Sequence, residues 1–171
     1  MTELRGHAAP HTRKEKAFMK RFLRNAVFVI IGLLFIIQFI PVQRDNPPIT
    51  QEVKWDSSQT RLLAQRACFD CHSNESVWPW YSYVAPISLR VASHVHNGRE
   101  HLNFSEWDQP NEDFEEIEEV ISRGEMPLSD YLLMHPEAKL SDAEKQQLIE
   151  GLQATLANDP PIEREDRGRP E

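Results

Sequence analysis

The longest apolar run in the chain lies near its N-terminus. From Ala26 to Ile40 it reads AVFVIIGLLFIIQFI, with Gln38 as its polar residue. At about 1.5 Å per residue, a helix over residues 22–42 is about 31 Å long, which matches the hydrocarbon core of a bilayer. The pattern therefore predicts a transmembrane helix at residues 22–42.

Three interpretations of this segment compete: a cleaved signal peptide, a buried core helix and an uncleaved anchor. A core helix does not need the basic residues that crowd residues 1–21, and no small-x-small cleavage site follows the run. These features favour the anchor. The positive-inside rule then keeps the basic N-terminus in the cytoplasm. We expect one span in a bacterial inner membrane, with the C-terminal domain in the periplasm or at the cell exterior.

Beyond the anchor, the pattern predicts a linker, a compact domain and a polar tail. Pro47-Pro48 stiffens residues 43–54 toward an extended conformation, so we expect this linker to hold the domain off the membrane. The domain covers residues 55–157. A polar tail covers residues 158–171, and its charged part from Ile162 is predicted to be disordered.

Apolar positions within the domain recur at helical spacing, and no sustained alternation typical of strands is present. The first predicted helix has Asp56 and Gln59 as its capping pair, and the last has Ser141 and Glu144. Gly124 is placed to end the third. The predicted helices cover residues 56–67, 85–96, 112–123 and 141–159. The fold class is therefore mostly α.

Charge is distributed unevenly along the 171 residues. Residues 1–25 hold seven Lys or Arg and two acids, which gives a net charge of +5. The whole chain carries −8, so residues 26–171 carry −13. Nucleic-acid binding needs clustered basic side chains, so an acidic body excludes that class. The charge suits solubility and a basic partner protein.

The strongest chemical signal is Cys68-Phe69-Asp70-Cys71-His72, which contains both cysteines of the chain. Cys-x-x-Cys-His is the attachment pattern of c-type haem. Residues three and four apart share one face of a helical turn, so both thiols and the imidazole can meet one macrocycle. We predict one covalently attached haem c, with thioether bonds to Cys68 and Cys71 and with His72 on the iron.

Other uses of the two cysteines stay open. A thioredoxin-like dithiol needs a βαβ scaffold, which the pattern does not predict. A structural zinc site needs four ligands, for which His94 and His96 are distant candidates. A structural disulfide across so short a loop stabilises little.

A second axial ligand is sought among the methionines and histidines. Met126 lies in Gly124-Glu125-Met126-Pro127, just after a predicted helix end, and we predict it as the sixth ligand. Ordinary core packing is the alternative for Met126, and Met134 is predicted to be core. The alternative ligands are His94, His96, His101 and His135.

Several other side chains are candidates for contact with the haem. Arg90 and Arg99 are candidates to neutralise its propionates. The aromatic residues are predicted to be mostly core, with some packing on the haem. They are Trp78, Trp80, Tyr81, Tyr83, Phe104 and Trp107.

With these residues in view, the chain resembles a family of small bacterial haem-binding-domain proteins over residues 55–156. The matching segments are residues 68–75, 78–82, 85–86, 98–99, 102–105, 124–127 and 135–141. The resemblance implies a cytochrome c-like helical domain around one haem, with Cys68, Cys71 and His72 on that haem. It identifies a cofactor more firmly than a physiological role.

The favoured function is single-electron transfer by a membrane-anchored monohaem c-type cytochrome, with His72 and Met126 both on the iron. An electron carrier of this kind is not an enzyme. Its partners are the membrane and redox proteins of unidentified type, or a larger membrane complex. The alternatives are a haem-based sensor or gas-binding module with a labile sixth ligand and, less favoured, a peroxidase-type enzyme, which needs an open iron and a distal acid or base.

Overall fold

The computed structural model describes residues 13–111 and 116–163. The chain forms two compact units, residues 1–41 and residues 42–171. In the described residues both units are mostly helical, as the apolar pattern predicts.

The first unit is the apolar helix α1 (Arg13–Ile36), which continues into a 3-10 turn at Ile37–Phe39. Residues Glu15–Phe39 are long and apolar enough to cross a membrane. The helix begins nine residues before the predicted start at residue 22, because the Lys, Arg and Glu residues that precede the apolar run are good helix formers.

The second unit contains the remaining helices and one small sheet. Short 3-10 turns lie at Trp80–Tyr83 and Pro136–Ala138. The α-helices are α2 (Ser58–Ala67), α3 (Phe69–His72), α4 (Ile87–His101), α5 (Ile117–Ser122), α6 (Ser129–Met134) and α7 (Asp142–Asn158).

The core forms where α2 and α7 cross at close range. Gly151 of α7 lies against Thr60 of α2, and a Cβ at position 151 would stand 2.1 Å from the Thr60 hydroxyl oxygen. A residue without a side chain is therefore what allows the two helices to approach. Buried side chains around this crossing are Val53, Leu63, Ala64, Ala67, Phe69, Leu102, Phe104, Trp107, Ile117, Ile121, Leu140, Leu148, Ile149 and Leu152.

Helix ends agree with the predictions in some places and correct them in others. The capping box of Ser141 and Glu144 is present at the start of α7. The N-cap of α2 is Ser57, not Asp56, because the Ser57 side chain accepts a hydrogen bond from the Thr60 amide. Helix α4 starts two residues later than predicted and continues to His101. The first part of the third predicted helix, residues 112–115, lies outside the described residues.

The predicted linker is not a separate spacer. The Val53 amide donates to the Phe104 carbonyl, and the Trp107 amide donates to the Gln51 carbonyl. Val53 is itself buried. Backbone groups that leave water need partners, and residues 50–53 find them along residues 104–107. Residues 43–54 therefore belong to the second compact unit.

Part of the predicted tail is also ordered. Strand β2 (Ile162–Glu163) pairs in parallel with β1 (Pro110–Asn111), with Pro110 opposite Ile162. The Trp107 indole donates to the Asp159 carbonyl at 3.0 Å, which holds the end of α7 near this ladder. The tail beyond Glu163 lies outside the described residues, so its predicted disorder stays a prediction.

We predict an acid-sensitive contribution to stability from Glu144. Hydrogen bonds from the Ser141 backbone and from Arg66 lower the pKa of this carboxyl to about 2, against about 4.3 in an unfolded chain. The contribution is therefore complete above about pH 4.3 and is lost as the pH falls toward 2. Glu144→Gln should make the free energy of unfolding depend less on pH in this window, measured by urea titration.

The matched control is Glu150→Gln, which changes an exposed acid on the same helix. It should keep the acid dependence of the wild type. Equal slopes for Glu144→Gln and wild type between pH 2 and 4.5 would contradict this role of Glu144.

Candidate functional site

A largely apolar cavity of about 330 Å³ lies in the second unit. Its size is within the range of small-molecule and cofactor pockets. Both cysteines, three histidines and one methionine line it. The lining is Ala67, Cys68, Asp70, Cys71, His72, His94, Asn97, Gly98, His101, Leu102, Phe104, Glu116, Ile117, Val120, Ile121, Met126, Pro127, Leu128, Tyr131 and Leu152.

The Cys-x-x-Cys-His segment forms one helical turn at the wall of this cavity. Cys68 is the N-cap of α3, and its carbonyl accepts hydrogen bonds from the amides of Cys71 at 3.1 Å and His72 at 2.9 Å. The turn brings the two thiols and the imidazole to the same cavity, the arrangement that their spacing predicts.

Helix α4 approaches this turn closely at Gly98. A Cβ at position 98 would stand 2.5 Å from the Cys71 carbonyl oxygen and 3.1 Å from the Cys71 Cβ. A side chain does not fit between them, so α3 and α4 reach their present distance only with glycine here.

The backbone of residues 102–104 orients the His72 ring. Its Nδ1 lies 3.1 Å from the Leu102 carbonyl oxygen, and the Phe104 amide donates to the His72 carbonyl at 2.9 Å. An imidazole that donates its Nδ1–H to a carbonyl is the tautomer whose Nε2 carries a lone pair for a metal. Residues 102–104 therefore hold both the ring and the backbone of His72.

Buried amide side chains fasten this contact. Asn103 Nδ2 donates to Asn74 Oδ1 at 3.0 Å, and the backbone N–H of Asn74 donates to Ser105 Oγ at 3.0 Å. The backbone N–H of Asn103 donates to Asn111 Oδ1 at 2.9 Å. Buried polar groups with complete hydrogen bonding define one arrangement of the two segments.

Burial determines the protonation of the three motif side chains. It raises the pKa of the Cys68 thiol to about 12 and that of Cys71 to about 11, with smaller contributions from the negative charges of Cys71 and Asp70 respectively. Burial also lowers the pKa of His72. The thiols are protonated at neutral pH, unlike the low-pKa thiolates of redox-active dithiols. The imidazole is neutral, which is the form that binds metals.

Met126 reaches the cavity because of how α5 ends. Gly124 has φ of +70°, a left-handed conformation that favours glycine. The Gly124 amide donates to Ile121 and the Glu125 amide to Val120, which is a Schellman motif. The motif turns the chain sharply, and Met126 and Pro127 then line the cavity.

The competing ligand candidates are separated by position. His94 and His101 line the cavity together with Met126. His96 lies 3.3 Å from Glu100 and outside the cavity that both cysteines line, so the zinc alternative, which needs His96 near Cys68, is disfavoured. His135 lies 2.6 Å from the Tyr81 hydroxyl and stacks on Tyr131, but it is not itself among the residues that line the cavity.

Met134, which the sequence predicts to be core, is 54% exposed and lies outside the cavity lining. This prediction is wrong because Met134 ends the short helix α6, whose residues are all at least partly exposed.

Sequence reasoning missed Asp70 and Tyr131. The Tyr131 hydroxyl donates to Asp70 Oδ2 at 2.8 Å, and Asp70 Oδ1 accepts from the Val77 amide at 2.9 Å. Burial, then the Asp70 charge, raises the pKa of Tyr131, so its hydroxyl keeps the proton that it donates. Asp70 stands inside the Cys-x-x-Cys-His string, but nothing in the sequence links it to Tyr131.

The arginines proposed for propionates are engaged elsewhere. Arg90 Nε donates to Asp130 at 2.6 Å. Arg99 donates to the carbonyls of Ser73 and Asp45, so it ties residues 43–46 to the end of the motif. Neither arginine lines the cavity.

The aromatic residues differ in their burial. Phe104 and Trp107 are buried as predicted, whereas Trp80 and Tyr83 are exposed.

The model of one protein family, described as a haem-binding domain, matches residues 32–154. The chain belongs to the haem-binding-domain family. Comparison with curated proteins and with solved structures gave no match. The match spans residues from α1 into α7 and includes every residue that lines the cavity.

The cavity residues fit a haem. Most of the lining is aliphatic or aromatic, as the faces of a porphyrin require. His72 presents a neutral imidazole that is oriented by a carbonyl, which is the usual support of a metal-bound histidine. This chain therefore offers a haem an apolar cavity and, in His72, a candidate ligand whose ring is already oriented.

We predict that Gly98→Ala disturbs the haem site through the backbone. The new methyl group would collide with the Cys71 carbonyl, so α3 and α4 must separate. We expect a loss of about 1–3 kcal/mol in the free energy of unfolding, typical of overpacking, together with a lower haem content per chain. Thermal melting and the haem-to-protein absorbance ratio measure the two effects.

Ser93→Ala is the control, since Ser93 is exposed on the same helix. It should leave both quantities unchanged. A Gly98→Ala protein with wild-type stability and haem content would show that the close approach is not required.

Proposed function

We propose that this haem-binding protein is a membrane-anchored monohaem c-type cytochrome that carries single electrons on the extracytoplasmic side of the membrane. One observation carries the proposal: Cys68, Cys71, His72 and Met126 line one largely apolar cavity. Electron transfer needs no acid or base at the iron, so the proposed role is that of a carrier and not of an enzyme.

Covalent attachment is supported by the two cysteines. Both thiols belong to one turn at the cavity wall, and burial keeps them protonated. In the attachment reaction the S–H bond of each thiol adds across one vinyl group of the haem, so that a C–S bond forms and the hydrogen goes to the neighbouring carbon. This addition consumes no oxidant or reductant.

Axial ligation is supported by His72 and Met126. The Leu102 carbonyl orients the His72 ring, and the Schellman motif at Gly124 directs Met126 to the cavity. When bound, the haem supplies a one-electron iron couple, and His/Met ligation raises its reduction potential. The protein contributes His72 from α3, Met126 from the segment after α5, and an apolar surrounding that excludes water.

Location is proposed from the first unit. Helix α1 has the length and composition of a membrane span, and basic residues precede its apolar part. The positive-inside rule then places residues 42–171 outside the cytoplasm. Thioether attachment suits that compartment, where free thiols tend to oxidise. The proposed partners are redox proteins of the same membrane, either separate or in one complex.

We predict covalent haem on both cysteines. Protein matured with a c-type assembly system should keep its haem through acid–acetone extraction. Cys68→Ala or Cys71→Ala should each reduce the retained haem, and the double variant should retain none. Release of the haem from the wild type into the solvent would exclude covalent attachment.

We predict that Met126 is the sixth ligand. Met126→Ala should open the iron, so that carbon monoxide binds to the reduced protein and the reduction potential falls. Carbon monoxide difference spectra and a redox titration measure these effects. Met134→Ala is the matched control, because Met134 is exposed outside the cavity, and it should behave as wild type.

Two results would contradict the role of Met126. Carbon monoxide binding by the wild type would indicate a labile or vacant sixth position and favour the sensor alternative. An unchanged spectrum in Met126→Ala would move the ligand to His94 or His101, which line the same cavity.

A further inference from the structure

Among the described residues of the second unit, most of the exposed large apolar side chains lie in two segments, residues 77–87 and 133–134. Val77, Trp80 and Tyr83 are 70%, 73% and 59% exposed, and Leu133 is 81% exposed. We call this surface the aromatic face. Its residues are Val77, Trp80, Tyr83, Val84, Ile87, Leu133 and Met134.

Two contacts join the segments of the aromatic face. The Tyr81 hydroxyl lies 2.6 Å from His135 Nε2, which ties residues 77–84 to the end of α6. Arg90 binds Asp130 and ties α4 to the start of α6. In the 3-10 turn, Trp80 and Tyr83 lie three residues apart and therefore on the same side. These contacts hold together the segments that carry the exposed apolar side chains.

We propose that the aromatic face docks on the phospholipid headgroup region of the bilayer that holds α1. This inference rests on the membrane anchor of the proposed function. Trp and Tyr are the residues enriched at membrane–water interfaces, where an apolar ring meets a polar edge. Exposed apolar surface of this kind in a monomeric domain marks an interaction site.

Arg44 connects the face to the start of the second unit. Its guanidinium lies 4.6 Å from the centre of the Tyr83 ring, and its Nη1 donates to the Ser82 carbonyl at 3.1 Å. Arg44 follows Ile40, the last residue of the apolar run, by four residues, and a chain of that length reaches at most about 14 Å. The aromatic face is therefore joined to the apolar run by a short stretch of chain.

The tether also explains why the lipid surface is favoured over a separate protein. A surface already linked to the membrane meets the headgroups at an effective concentration on the order of millimolar. Weak contacts of a few aromatic rings then suffice for docking. Helix α6 contributes both to this face and, through Tyr131, to the cavity, so docking would fix the height of the haem above the bilayer.

The test uses the full-length holoprotein in phosphatidylcholine vesicles with a nitroxide spin label at Val84→Cys. The control label is at Leu62→Cys, because Leu62 is 57% exposed on α2, outside the aromatic face. Collision with lipid-soluble oxygen is compared with collision with a water-soluble nickel chelate. We expect the oxygen-to-nickel ratio to be several-fold higher at position 84 than at 62. Trp80→Ser with Tyr83→Ser should reduce this ratio to the value at position 62.

Other results would overturn the docking proposal. Equal ratios at positions 84 and 62 would show that the face stays in water. Exclusion of both reagents at position 84 would show that protein, a partner or a second copy, covers it.

The anchor and the haem are checked in the same sample. Loss of the chain from the vesicles in alkaline carbonate would overturn the anchor, and docking with it. Spin label on the wild type, whose cysteines are proposed to hold haem, would instead contradict covalent attachment. An unchanged haem spectrum in the serine variants would separate loss of docking from loss of the haem site.

Discussion

The contact between His72 and residues 102–104 is the constraint on which the rest of the site depends. The Leu102 carbonyl orients the ring and the Phe104 amide binds the His72 carbonyl, so both the side chain and the backbone of His72 are held. Asn74 and Asn103 extend this contact into a buried network, whose hydrogen bonds would be costly to leave unmade. If His72 binds the haem iron as proposed, a ring held in this way is oriented before the cofactor binds, which lowers the entropy lost on ligation.

The two glycines Gly98 and Gly151 give this frame its dimensions. Gly98 allows α4 to lie against the Cys71 backbone, and Gly151 allows α7 to cross α2 at Thr60. These approaches set the distances between α3 and α4 and between α2 and α7, and residues of these helices line the cavity. The chain that leaves α5 completes the lining. The left-handed Gly124 redirects that chain and brings Met126 to the space that His72 also faces. The proposed haem site thus depends on the backbone at these three glycines as much as on the side chains that would bind the iron.

The features that were predicted correctly from the sequence are those that depend on residues close together in the chain. The capping box at Ser141 and the helix end at Gly124 were predictable because both depend on neighbouring residues. Haem binding in general was predictable from the Cys-x-x-Cys-His spacing, whose residues form one turn. The packing of residues 43–54, the bond between Asp70 and Tyr131 and the exposure of Met134 were not. Each depends on segments far apart in the chain, and no pattern within a single segment records them.

His72 and Met126 are proposed to bind one iron from two separately ordered elements. X-ray absorption fine structure at the iron edge of the full-length holoprotein tests this ligand pair, because sulphur and nitrogen ligands scatter at different distances. We expect a single sulphur ligand beside nitrogen ligands in the wild type, and its loss in Met126→Ala. An iron shell in the wild type that contains only nitrogen, or that lacks a sixth ligand, would exclude Met126 as a ligand.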